Sequence, residues 1–163
     1  MKYALVNGIL LDGTEAMQPR SGLTVLLKGD RIEAIVPAGT EPPDYEKIGL
    51  ASGYVMPGLI NLHVHLPASG KPTVKQKDPK KAVRLMTSNA LLRWVAFRVC
   101  AGYAKTELLS GVTTLRSVGG IQAIDSRLRD KILSGGAVGP RILAGNMAVS
   151  VPGGHMAGSL AYE

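Results

Sequence analysis

At 163 residues the chain is long enough for a globular core that buries roughly two-thirds of its unfolded surface. A hydrophobic content of 45% with 19% charge excludes disorder throughout, and 4% aromatics leave Val, Leu, Ile, Ala and Met to build the core. The net charge of +7 raises the question of nucleic acid, but much of the excess lies in KPTVKQKDPKKAVR, residues 71–84, with no aromatic to stack on a base. A solvated basic loop is expected there, and no nucleic-acid partner.

Residues 1–54 read as a small antiparallel β unit. Asn7-Gly8 between apolar segments predicts a hairpin. Leu23, Val25 and Leu27 alternate, Gly29-Asp30 makes a tight turn, and Ile32, Ala34 and Val36 continue the period of two. Pro42-Pro43 marks a loop.

After Pro57 the pattern changes. LINLHVHL, residues 59–66, is a nearly continuous apolar strand of the kind buried on both faces of a parallel sheet. Asp78-Pro79 gives an N-cap and first helical residue, and helix is expected to about Ser110, ended by Gly111 and kinked or divided at Gly102. Ala90, Leu91, Trp94, Val95 and Ala101 form the predicted apolar stripe, with Arg98 its exception. Cys100, the only cysteine, excludes an intrachain disulfide and reads as a small buried hydrophobe. GVTTLRSVGG is a second strand. IQAIDSRLRDKILSGG is a second helix, with Ile121, Ile124, Leu128, Ile132 and Leu133 inward, and VGPRILAGNMAVS is a third strand. Strand, helix, strand, helix, strand implies right-handed crossovers and a parallel sheet. The N-terminus lacks a secretory signal and no apolar run could span a membrane, so a cytoplasmic location without a membrane partner is expected.

His63 and His65 stand at i and i+2 near the end of the first parallel strand, so both imidazoles face one side. Two neutral imidazoles suit zinc, iron, nickel or manganese, yet a catalytic zinc normally takes three protein ligands. The bland alternative is one hydrogen-bonded histidine and one incidental one.

VMPGLINLHVHL resembles the first-strand signature of the amidohydrolase superfamily, Pro-Gly-Leu-Ile-Asp-x-His-x-His. GVTTLRSVGG and GPRILAGNMAVSVPGGH resemble the second and third barrel strands of its imidazolonepropionase, prolidase and Xaa-Arg dipeptidase-like branch. The resemblance implies an α/β fold: the first three βα units of a (β/α)₈ TIM-like barrel over residues 55–163, preceded by part of a small β-sandwich over residues 1–54. It implies one or two divalent metals, usually zinc, with His63 and His65 as ligands. His155 is implied to contact the substrate near its reacting carbonyl as a catalytic and substrate-binding group, with Gly153 and Gly154 allowing close backbone approach. Asn61 stands where the family has Asp, and Ser117 follows Arg116 where Asp is common; Arg116 is expected to be a structural donor and Gly119-Gly120 a tight turn.

The family's later ligands, a lysine, two histidines and an aspartate, have no counterpart here, and such a barrel needs about 250 residues. The expectation is an incomplete N-terminal portion of a metal-dependent amidohydrolase acting on C–N bonds. A dipeptide or other small molecule is the expected substrate, and a homo-oligomer the expected assembly. The alternatives are a cyclic amide hydrolase of the imidazolonepropionase kind and a non-catalytic scaffold.

Overall fold

Alternation and turn chemistry account for most of the first 57 residues. The computed structural model describes residues 1–70 and 78–162, and the chain divides into two units, Met1–Pro57 and Gly58–Glu163. The first unit contains β1 (Lys2–Val6), β2 (Ile9–Leu10), β3 (Leu23–Lys28), β4 (Arg31–Pro37), β5 (Glu46–Gly49) and β6 (Tyr54–Val55). β3 and β4 form the expected hairpin: Lys28 pairs with Arg31, and Gly29 takes φ +62° as first residue of the two-residue turn. The sheet runs β4-β3-β1-β5, and Ala4, Leu26 and Tyr45 are its buried centre.

The Asn7-Gly8 hairpin does not form. Asn7 does turn the chain at φ +58°, but β1 is already paired on both edges, antiparallel with β3 and parallel with β5. β2 instead pairs in parallel with β6. Two of this unit's pairings are therefore parallel, against the expectation of a wholly antiparallel unit.

The second unit runs β7 (Leu59–Val64), α1 (Pro79–Thr87), α2 (Ala90–Leu109), β8 (Val112–Ser117), α3 (Ile124–Leu133), β9 (Arg141–Leu143), β10 (Ala148–Val149) and β11 (Ala161–Tyr162). β7, β8 and β9 form a parallel sheet in that order, and β10 pairs with β11. Leu115 of β8 and Ile142 of β9 pack with Ala96, Cys100, Ala104 and Leu128 from the helices. Full burial of a side chain such as Leu115 or Leu128 stabilises by about 1.5–3 kcal/mol.

Three expectations change here. The helical stretch divides at Ser88–Asn89 and runs through Gly102 without a break. Asn89 is extended (φ −148°), and its Oδ1 accepts from the Leu92 amide at 2.9 Å, so a new N-cap starts α2. The buried face of α2 is Ala96, Cys100 and Ala104, whereas Leu91 and Trp94 are 68% and 60% exposed. Small residues at i, i+4 and i+8 let the helix approach the sheet closely, which bulky residues would prevent. Leu133 of α3 is likewise exposed. Finally, Leu59, Ile60 and Leu62 of β7 are exposed, against the expected burial on both faces, and β7 is paired on one edge only among the described residues. The first half of the basic stretch, residues 71–77, lies outside the described residues; Asp78 caps α1 by accepting from the Lys80 amide at 2.9 Å.

Candidate metal-binding site

His63 lies one residue before the end of β7 and His65 one residue beyond it. Their rings meet edge to face at 73°, with centroids 5.2 Å apart and the two Nε2 atoms 3.3 Å apart. The i, i+2 spacing thus does bring both imidazoles to one point. His63 is exposed and His65 half-buried. The His63 amide donates to Asn61 Oδ1 at 3.2 Å, and Asn61 Nδ2 reaches Glu107 Oε2 on α2 at 3.4 Å.

His65 Nδ1 lies 3.1 Å from the carbonyl oxygen of Gly119, in the turn after β8. A carbonyl only accepts, so Nδ1 carries the proton and Nε2 keeps its lone pair in the neutral ring. This is the tautomer a metal ligand needs, and metal-bound histidines commonly have such an outer partner. Tetrahedral zinc with Zn–N bonds near 2.0–2.1 Å sets its nitrogens about 3.3–3.4 Å apart, so the Nε2 pair has a fitting bite. Without metal, the same pair can share one hydrogen bond, His63 donating. The two histidines therefore fit as part of a metal site. No group of three or more His, Cys, Asp or Glu side chains able to hold a metal exists among the described residues.

The cleft beside the pair, about 280 Å³, is lined by Asn61, His63, His65, Ser69, Tyr103 and Glu107. Sequence patterning does not single out Tyr103 and Glu107; both lie on α2, and only the docking of that helix brings them here. His155 does not line this cleft. It lies exposed between β10 and β11, with no hydrogen-bond partner among the described residues. Gly153 takes φ +71°, and a Cβ on Gly154 would crowd the Val151 carbonyl at 2.9 Å, so both glycines serve the turn itself.

The support beneath His65 is built from the turn after β8. Gly119 has φ +141°, and a Cβ there would stand 3.0 Å from His65 Nδ1. A Cβ on Gly120 would be 2.6 Å from Asp125 Oδ2, so this glycine pair permits close packing in a tight turn. The Gly120 amide donates to the Asn146 carbonyl, and Asn146 Oδ1 accepts from the Ser126 amide at the start of α3. Buried Ser117 accepts from the Gly145 amide through Oγ at 3.0 Å. Arg116 Nε donates to the Leu62 carbonyl at 2.9 Å, a structural bond from β8 to β7.

Asp125 is fully buried, and its two carboxylate oxygens have no hydrogen-bond partner among the described residues. Burial pushes its pKa above the ordinary range, and the nearby polar groups of Ser117 and Asn146 only partly oppose this. Burial also pushes the Cys100 thiol up to about 12, which leaves it unreactive inside the core.

No protein-family profile matches the chain. Among curated proteins, a dihydroorotase of Syntrophotalea carbinolica is 39% identical over 70 residues, 43% of this chain and 16% of that protein. Among solved structures, a prolidase-like protein of Bifidobacterium longum matches 99% of this chain and 34% of its own at 29% identity and TM-score 0.72. A Xaa-Pro dipeptidase with bound methionine in its active site matches 95% of this chain and 36% of its own, at 28% identity and TM-score 0.72. A prolidase complexed with N-methylphosphonate-L-proline matches 95% and 34%, at 25% identity and TM-score 0.74. These solved neighbours and the dihydroorotase belong to the amidohydrolase superfamily, and the chain is similar to them, sharing a mixed α/β fold with the solved structures. It spans about a third of the length of the solved structures it matches. Among the described residues, no helix is long and apolar enough to cross a membrane.

Proposed function

We propose that this chain is the N-terminal portion of a metal-dependent hydrolase of amide or peptide-like C–N bonds, with a dipeptide as substrate. In this reading β7, β8 and β9 are the first strands of a barrel, in a cytoplasmic homo-oligomer. The observation that carries it is the convergence of His63 and His65 at 3.3 Å, with His65 Nδ1 engaged by Gly119. His63 and His65 would hold a divalent ion, usually zinc, which when bound polarises an amide carbonyl and activates water. Gly119 fixes the tautomer of His65, and Asn61 ties the backbone at His63 toward α2. His155 is assigned to the substrate side, as donor to the reacting carbonyl. The dipeptide choice is supported by the likeness to a prolidase and a Xaa-Pro dipeptidase.

A second reading, hydrolysis of a cyclic amide, is favoured by the 70-residue likeness to a dihydroorotase. A non-catalytic scaffold is the third.

The test begins with zinc or cobalt titration of the 163-residue chain against a chromophoric chelator. Weak binding that His63→Ala and His65→Ala each abolish is expected, without substantial dipeptide turnover. Metal binding indifferent to both substitutions would overturn the assignment of the pair. Tight stoichiometric metal or turnover by the chain alone would overturn its incompleteness. In a longer polypeptide carrying this chain, hydrolysis of Xaa-Pro or Xaa-Arg dipeptides over cyclic amides supports the first reading, the reverse order installs the second, and inactivity with metal absent installs the third.

A further inference from the structure

The helices carry a second concave feature, lined by residues other than those of the histidine cleft. Where α3 packs against α2, an open cleft of about 530 Å³ is lined by Arg93, Trp94 and Arg98 from α2 and by Arg127, Asp130 and Lys131 from α3. It adjoins a smaller cleft of about 270 Å³ in which Lys105 joins Arg98 and Lys131. Neither shares a lining residue with the cleft at His63 and His65.

The charge here is uncompensated. Asp130 is the one carboxylate lining these two clefts, and it is already held by Arg129 through Nε and Nη2, each at 2.8 Å. Arg98, Arg127 and Lys131 have no ion pair among the described residues. Among the described residues they lie near aromatic rings: Arg127 and Lys131 stand 5.7 and 5.6 Å from the centre of Phe97, and Arg98 stands 5.9 Å from that of Trp94. A ring face offsets part of a cation's charge but leaves its hydrogen-bond donors free. From Arg93 to Lys105 the helix advances about 18 Å, so the positive charge forms a stripe and not a point.

We propose that this groove binds a nucleoside polyphosphate. Guanidinium groups take phosphate oxygens in pairs, and closely set cations favour a ligand whose negative charges are equally dense. A run of linked phosphates has that density. Trp94, 60% exposed at the α2 side of the cleft, offers a flat apolar face on which a base stacks, and Arg98 beside it adds a cation. An acidic peptide would satisfy the cations but make no use of the indole. A nucleic-acid strand would call for successive stacking rings, and Trp94 alone is exposed to supply one here.

Trp94 is the only tryptophan in the chain, so its fluorescence reports the site directly. At low ionic strength ATP should quench it saturably. Inorganic tripolyphosphate should displace ATP while quenching little itself. Arg98→Glu and Lys131→Glu should each weaken ATP by about tenfold or more with unchanged far-UV circular dichroism, and Lys47→Glu in the first unit should not. Affinity should fall steeply with salt. Absence of a saturable response overturns the proposal, as does equal affinity for ATP in the reversed-charge variants. A polyglutamate peptide binding as well as ATP would assign the groove to an acidic protein segment instead. An oligonucleotide binding more tightly than ATP would assign it to a strand.

Discussion

His65 Nδ1 donates to the carbonyl oxygen of Gly119 at 3.1 Å, joining residues 54 positions apart in sequence. The bond sets both the ring plane and the tautomer of His65. It exists because Gly119 lets the turn after β8 pass against the ring at a φ of +141°, which a side chain resists.

Replacing Gly119 with Ala should therefore act twice. The positive φ becomes strained, at about 1–3 kcal/mol, and the new methyl presses on the imidazole. Urea denaturation should show that loss, and zinc binding by the folded variant should weaken further than in wild type. A Gly119→Ala protein with unchanged stability and unchanged zinc affinity would show that Gly119 does not govern His65.

Asp125 yields a pH dependence. Its folded-state pKa lies above the ordinary value of 3.8, so between the two the folded chain holds a proton that the unfolded chain has lost. Stability contributed by the neutral acid is full below 3.8, falls as pH rises toward the folded pKa and levels off beyond it. The slope is at most about 1.4 kcal/mol per pH unit. Asp125→Asn should flatten this part of the profile, measured as urea midpoints across a pH series. An identical slope in the variant would place the titrating group elsewhere.

Cys100 should be silent in the native protein. It is buried with its thiol at about 12, burial being the larger cause and the Asp125 charge the smaller. At pH 8 a disulfide reagent should label it only as fast as the structure opens, with a rate that climbs with urea. Labelling at the rate of a free thiol in the absence of urea would contradict this packing.

The sequence makes some of these features plain and hides others. The β3–β4 hairpin is legible because alternation and the Gly29-Asp30 turn agree, and the Asp78-Pro79 cap is legible because both positions speak for one boundary. Asn7-Gly8 misleads: it makes its turn, but pairing depends on which edges of β1 are free, a long-range matter. The stripe through Leu91 and Trp94 misleads because apolar size is not itself burial, and close approach to the sheet selects Ala96, Cys100 and Ala104. Within the site, His63 and His65 are legible from i, i+2 spacing alone. Glu107 and Asp125 are not, since their neighbours come from docking α2 and α3 onto the sheet.

The distance along the chain between His65 and Gly119 also bears on the order of events in folding. Until β8 zips beside β7, the histidine has no fixed ring plane and no chosen tautomer. A metal ion meeting the unfolded chain would find two nearby imidazoles with no fixed bite between them, and so only a weak pair of ligands. The pair cannot serve as a local nucleus; it becomes selective only after a loop of some fifty residues has closed. Metal capture should then trail the formation of the parallel sheet, making zinc uptake a clock for the pairing of β7 with β8.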